Sequence, residues 1–204
     1  MNRDSEFNAT KLTSISNGKT IIDTYVDSFD IEKVKIVVAE LEGAKRRINL
    51  YIDFADFMRL TMQIKSQSYL VNKIKTKALE LCRGGGYGYR NEVNSTSLTL
   101  GMSGDKLFFN AMQCPGIKTG NGAIIPMQGI QDSDRIKISV PSSYEDCLAM
   151  FLYVEKAIDV YLRDFFPQLF EKARAKRSKQ DTYKNTGYYP DAPNEVYYPD
   201  PIYQ

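Results

Sequence analysis

The sequence predicts an α+β fold of two blocks, each an antiparallel meander that runs into a helix (ββββα-like, repeated), with a disordered N-terminus and an extended C-terminal tail. Three observations carry this reading. In "RINLYID" (47–53) Ile48, Leu50 and Ile52 alternate strictly with Arg47, Asn49, Tyr51 and Asp53, as in a strand with one buried face. In "RIKISV" (135–140) Ile136, Ile138 and Val140 repeat the alternation. After each segment the apolar spacing lengthens to that of a helix burying one stripe.

Taken in order, residues 1–18 are rich in Ser, Thr and Asn and are expected to be flexible. The core is expected over 19–166. "KTIIDTYV" and "IEKVKIVVAELE" read as strands on their Val and Ile content. After "RINLYID", residues Phe57, Leu60, Ile64, Tyr69, Ile74, Ala78 and Leu81 give one interrupted helix or two short ones reaching Cys82. "RGGGYGYRN" terminates that region, because consecutive glycines do not sustain a helix. The first block is therefore placed at about 19–82.

The second block, about 95–166, contains "TSLTLGM", "DKLFFNAMQ", "GAIIPMQ" and "DRIKISV" as strands. Turn signals separate them at Ser103-Gly104-Asp105, Pro115-Gly116 and Asp132-Ser133-Asp134. Pro141 is expected to stop the last strand, and Ser142 with Glu145 offers a capping box for a helix over about 143–166. Its stripe is Leu148, Phe151, Leu152, Ile158, Leu162 and Phe165. Pro167 ends or restarts that helix, and 167–180 reads as a basic helical extension. An offset of 88 lays Arg47, Ile48, Leu50 and Ile52 on Arg135, Ile136, Ile138 and Val140; without a gap it lays Leu60 and Met62 on Leu148 and Met150.

The 204 residues suffice for one substantial core or two small ones. No apolar run approaches the ~20 residues of a membrane span, and no apolar block marks a signal peptide, so no membrane association and a cytoplasmic location are expected. Three widely spaced cysteines, Cys82, Cys114 and Cys147, suggest core residues rather than a disulfide framework or zinc site. Histidine is absent, which excludes His-based triads and His-metal sites. Neither catalysis nor a cofactor is expected. The net charge of +2 is uneven: residues from Asp181 onward sum to −3 and the rest to +5.

"SNGKT" ends like a phosphate-binding loop, but Thr13 stands where the leading glycine is needed and a strand follows, so nucleotide binding is not expected there. Asp53 with Asp56, and Asp132 with Asp134, are paired carboxylates that read as helix caps and turn formers rather than metal ligands. "RGGGYGYRN" has two readings, a linker or a nucleic-acid contact in which Tyr87 and Tyr89 stack on bases while Arg83 and Arg90 meet phosphates.

Sheet faces are the most informative constellation. If the Ile, Leu and Val positions face helices, the opposite faces gather Lys33, Lys35, Arg47, Asn49 and Tyr51 in one block. In the other they gather Lys106, Phe108, Asn110, Arg135, Lys137 and Ser139. Cations beside exposed aromatics and amides supply phosphate neutralisation and base stacking, as single-strand binding requires. A solvated sheet face also carries Lys and Arg.

The junctions "RINLYIDFADFMRL" and "RIKISVPSSYEDCLAM" give the chain an order of elements that resembles the Pur-type and whirly-type single-stranded nucleic-acid-binding proteins, over about 19–166. The helical stretch expected at 66–82 and the lack of a clear fourth strand in the first block depart from that pattern, and the whirly lysine-rich signature is not visible. The resemblance implies single-stranded DNA or RNA as partner, DNA before RNA, and a homo-oligomer. The alternative function is a protein-interaction or structural adaptor of a mobile-element, phage or replication assembly. An enzyme would need a carboxylate-metal or Lys/Tyr mechanism, for which no convergent set is visible.

The segment 181–204 holds six of the 14 tyrosines and four of the eight prolines, with "YYPD" occurring twice. Proline holds such a stretch in extended forms and removes amide donors. Tyr188, Tyr189, Tyr197 and Tyr198 are its candidate protein-partner residues. Three roles stand open for it: a disordered end, an arm packed on its own body or on a neighbouring subunit, and an acidic segment that competes with nucleic acid or docks partner proteins.

Overall fold

In the computed structural model the described residues are 10–87 and 92–186. The chain divides into two units, Met1–Val160 and Tyr161–Gln204. The fold is α+β, with two antiparallel sheets and helices, as the alternating segments predict.

The first sheet is a meander in the order β1-β2-β3-β4, formed by β1 (Lys11–Ser16), β2 (Thr20–Tyr25), β3 (Lys33–Glu40) and β4 (Arg47–Asp53). The fourth strand missing from the sequence reading is β1, which lies inside the segment expected to be flexible. Its polar residues gave little apolar signal. What holds it is the turn to β2, where Asn17 Oδ1 accepts from the Lys19 and Thr20 amides and Gly18 takes φ of 84°. The β4 alternation is as predicted, with Ile48, Leu50 and Ile52 buried beside Val38, Ile36 and Val34 of β3.

Two helices follow, α1 (Phe54–Ile64) and α2 (Gln67–Thr76). Asp53 occupies the α1 cap position without a capping bond; its carboxylate instead accepts from Lys33 Nζ at 2.7 Å. Phe54 meets Phe29 of the turn before β3 edge to face, at 4.8 Å between ring centres. Helical structure stops at Thr76 rather than Cys82, and β5 (Leu79–Tyr87) begins the second sheet. The second block therefore starts near residue 79, not 95, and "RGGG" lies within a strand instead of a linker.

The second sheet continues through β6 (Val93–Ser103) and β7 (Lys106–Lys118). β7 is long enough to serve two partners on one edge: β9 (Ile136–Ser142) pairs with Leu107–Gln113 and the short β8 (Ile124–Pro126) with Gly116–Lys118. Pro115-Gly116 is thus strand rather than turn. Pro115 falls between those two ladders, so its missing N–H interrupts neither. Pro141 likewise sits inside β9, opposite Phe108.

The last helix, α3 (Tyr144–Thr186), includes Pro167 rather than ending there. Its cap is Ser143 with Asp146, one residue beyond the predicted box: Ser143 Oγ accepts from the Asp146 amide at 3.0 Å and donates to its carboxylate at 2.8 Å. Within the first unit α3 buries Cys147, Met150, Phe151, Val154 and Ile158 and leaves Leu152 exposed. Phe151 stacks on Phe57 of α1 at 4.8 Å, and Tyr144 donates to the Ile64 carbonyl at 2.8 Å, so both blocks share one core. In the second unit Tyr161 and Phe165 stack at 5.6 Å.

The offset of 88 holds for the strands and fails for the helices. Phe57, Leu60, Thr61 and Ile64 of α1 correspond in burial to Cys147, Met150, Phe151 and Val154 of α3, an offset of 90. Met62 is 70% exposed where Met150 is 2% exposed, which rules out the gapless pairing.

Candidate nucleic-acid interface

Register fixes which side chains share a face. Across β3 and β4, Lys33 opposes Asp53, Lys35 opposes Tyr51 and Val37 opposes Asn49, all opposite the helix-packed residues. β4 and β5 lie against each other, and between the two sheets a cleft of about 650 Å³ opens. That volume is typical of ligand clefts.

Six of the predicted residues line it: Lys33, Arg47, Asn49 and Tyr51 from the first sheet, Arg83 and Tyr87 from β5. Tyr51 is 47% and Tyr87 63% exposed, a degree of ring exposure that the fold's own packing does not require. The remaining lining includes Asn94 and Thr96 of β6, Gln113 of β7 and the glycines 84–86. These polar positions escaped the sequence reading. Their signal was the parity of β6, where Asn94 and Thr96 continue the face of Leu98 and Leu100 but change from apolar to hydrogen-bonding side chains.

The cations of the cleft already hold partners. Lys33 pairs with Asp53, Arg83 Nη2 with Glu80 at 2.6 Å, and Arg47 Nε donates to Asn49 Oδ1 at 3.0 Å. The Lys33 and Arg83 pairs are exposed, and such pairs contribute only about 0–1 kcal/mol. A phosphate can therefore replace either carboxylate at little cost. Cys82 also lines the cleft, and burial pushes its thiol up to about 12. Burial does the same to Cys147.

The other predicted residues are not brought there. Lys35 shares the β3–β4 face, but its ammonium binds Asp27 at 2.6 Å and lies 5.4 Å from the centre of the Tyr25 ring. Lys106, Phe108, Asn110 and Lys137 occupy the face of the second sheet opposite Leu107, Phe109, Ala111, Ile138 and Val140. There Ser139 Oγ donates to Asn110 Oδ1 at 2.7 Å, and Arg135 and Lys137 converge on Asp132 at 3.4 and 3.1 Å. The bond from Lys137 holds the Asp132 carboxyl below the usual range. Phe108 is half-buried, with Gly101 and Pro141 as cross-strand neighbours, rather than the open platform expected. Tyr89, Arg90, Tyr188, Tyr189, Tyr197 and Tyr198 lie outside the described residues.

Among the described residues no group of three or more acidic or cysteine side chains gathers as metal ligands, and no helix is long and apolar enough to cross a membrane. No protein-family model matches the chain, and no curated protein matches it.

Proposed function

We propose that the cleft between the two sheets binds single-stranded nucleic acid, DNA before RNA, without catalysis. One observation carries the reading: Lys33, Arg47 and Tyr51 of the first sheet and Arg83 and Tyr87 of β5 border one cleft together with Asn49, Asn94, Thr96 and Gln113, residues far apart in sequence. Arg47, Arg83 and Lys33 neutralise phosphates, Tyr51 and Tyr87 stack on bases, and Asn49, Asn94, Thr96 and Gln113 meet base edges. Stacking contributes about 1–3 kcal/mol per base, and each neutralised phosphate lowers the slope of log affinity against log salt by about 0.7. A duplex offers no unstacked ring to the tyrosines, so single strands are preferred.

Fluorescence anisotropy with a labelled single-stranded oligonucleotide at about 50 mM salt tests this, since phosphate contacts are strong there. Arg47→Ala with Arg83→Ala is expected to weaken binding at least about tenfold and to flatten the salt dependence. Absence of binding by the unaltered protein, or binding that ignores both substitutions, would overturn the reading and favour a protein-interaction role.

A further inference from the structure

Strand β5 carries three consecutive glycines, and the fold accounts for only one of them. A Cβ on Gly85 would stand 2.4 Å from the Asn94 carbonyl oxygen and 2.6 Å from Ile124 Cγ2 of β8, so glycine is required for the close approach of that hairpin. Gly84 and Gly86 are different. Neither adopts positive φ; a Cβ at Gly84 would meet only Thr96 Oγ1, at 4.0 Å, and one at Gly86 would meet nothing within 4 Å. Glycine weakens a strand relative to a residue with a side chain, because more backbone freedom is lost on folding. These two positions therefore cost stability without a steric or dihedral reason in the fold.

Their direction supplies one. Gly84 pairs with Thr96 and Gly86 with Asn94, both lining residues, so period-two alternation sets the missing side chains on that face of the sheet; Gly85, which meets Ile124, shares the other face with Arg83 and Tyr87, which border the cleft along the edge strand β5. We propose that Gly84 and Gly86 form a side-chain-free strip that receives a single planar base, making them specificity-determining positions for ligands with an unstacked ring. This rests on the single-strand reading above. A bare strand exposes flat peptide groups that a ring can approach at van der Waals distance. Thr96 and Asn94, one strand away, offer hydroxyl and amide groups to the edge of that ring. A base still stacked in a duplex cannot reach the strip without unstacking.

The test compares Gly84→Val and Gly86→Val with the unaltered protein, using a labelled single-stranded oligonucleotide and the same oligonucleotide with abasic positions. The unaltered protein should bind the normal strand about tenfold or more tightly than the abasic one, the equivalent of one stacked base. Both variants should lose about one stacked base's share of that preference, roughly tenfold, keep the share owed to Tyr51 and Tyr87, and keep the salt slope, because phosphate contacts through Arg47 and Arg83 are untouched. Their melting temperatures should equal or exceed that of the unaltered protein. Gly86→Ala, whose Cβ enters open space, keeps the test usable if a valine disturbs the strand. A preference for the normal strand that is undiminished in every variant overturns the strip and leaves the single-strand reading intact. Failure of the unaltered protein to bind either strand removes both.

Discussion

The two strand-to-helix junctions, β4 into α1 and β9 into α3, begin alike and end differently. Ile138 and Val140 stand in β9 as Leu50 and Ile52 stand in β4, at an offset of 88, yet the helices that follow correspond at 90. The two added residues surround the cap: Asp53 leads directly into α1, whereas Ser142 and Ser143 precede α3. A change of two residues preserves a strand's face, because its period is two, but rotates a helix by about 200°, because its period is 3.6. Helix phase therefore follows the cap rather than the strand before it. That shift lets Phe151 meet Phe57 across the shared core.

Substitution of that ring pair has the largest expected effect. Phe57→Ala and Phe151→Ala, both fully buried, should each destabilise by about 3–5 kcal/mol in chemical denaturation. Because the rings touch, the double variant should lose less than the sum, with a coupling of about 0.5–3 kcal/mol. Additive losses would mean two independent cores and would break the comparison. Next is Gly85→Ala, which forces a Cβ against the Asn94 backbone and should cost about 1–3 kcal/mol. The first sheet has no counterpart to the β8 contact, so this loss sharpens the contrast between blocks. Smallest are the caps: Ser143→Ala should cost about 1 kcal/mol, since it removes a bonded cap. Asp53→Ala should cost less than about 1 kcal/mol, because only its exposed pair with Lys33 is lost.

Legibility in the sequence followed the strength of alternation. β4, with three apolar residues at strict period two, is readable to the residue and β9 to within two residues at each end, and the order of meander and helix is readable as well. β1 is not, because its two apolar residues, Leu12 and Ile15, stand three apart among Lys, Thr and Ser and carry no period-two alternation. β5 is hidden because Leu81 also fits the helical spacing of Ile74 and Ala78, and the glycines read as a break. On the site, single-strand alternation identified the face of Arg47, Asn49 and Tyr51. It could not show that this face would be joined by β5, since that depends on how two sheets meet. Phe108 shows the reverse limit: parity gave its face, but not the half-burial beside Pro141.

The most direct test of the central claim is the salt dependence of single-strand binding measured for the unaltered protein and for a variant combining Arg47→Ala, Tyr51→Ala, Arg83→Ala and Tyr87→Ala. The cleft account predicts tight binding at about 50 mM salt that weakens steeply as salt rises, and at least about a hundredfold loss in the variant, with its thermal stability nearly unchanged. Equal affinity and equal salt slope for the two proteins would contradict it.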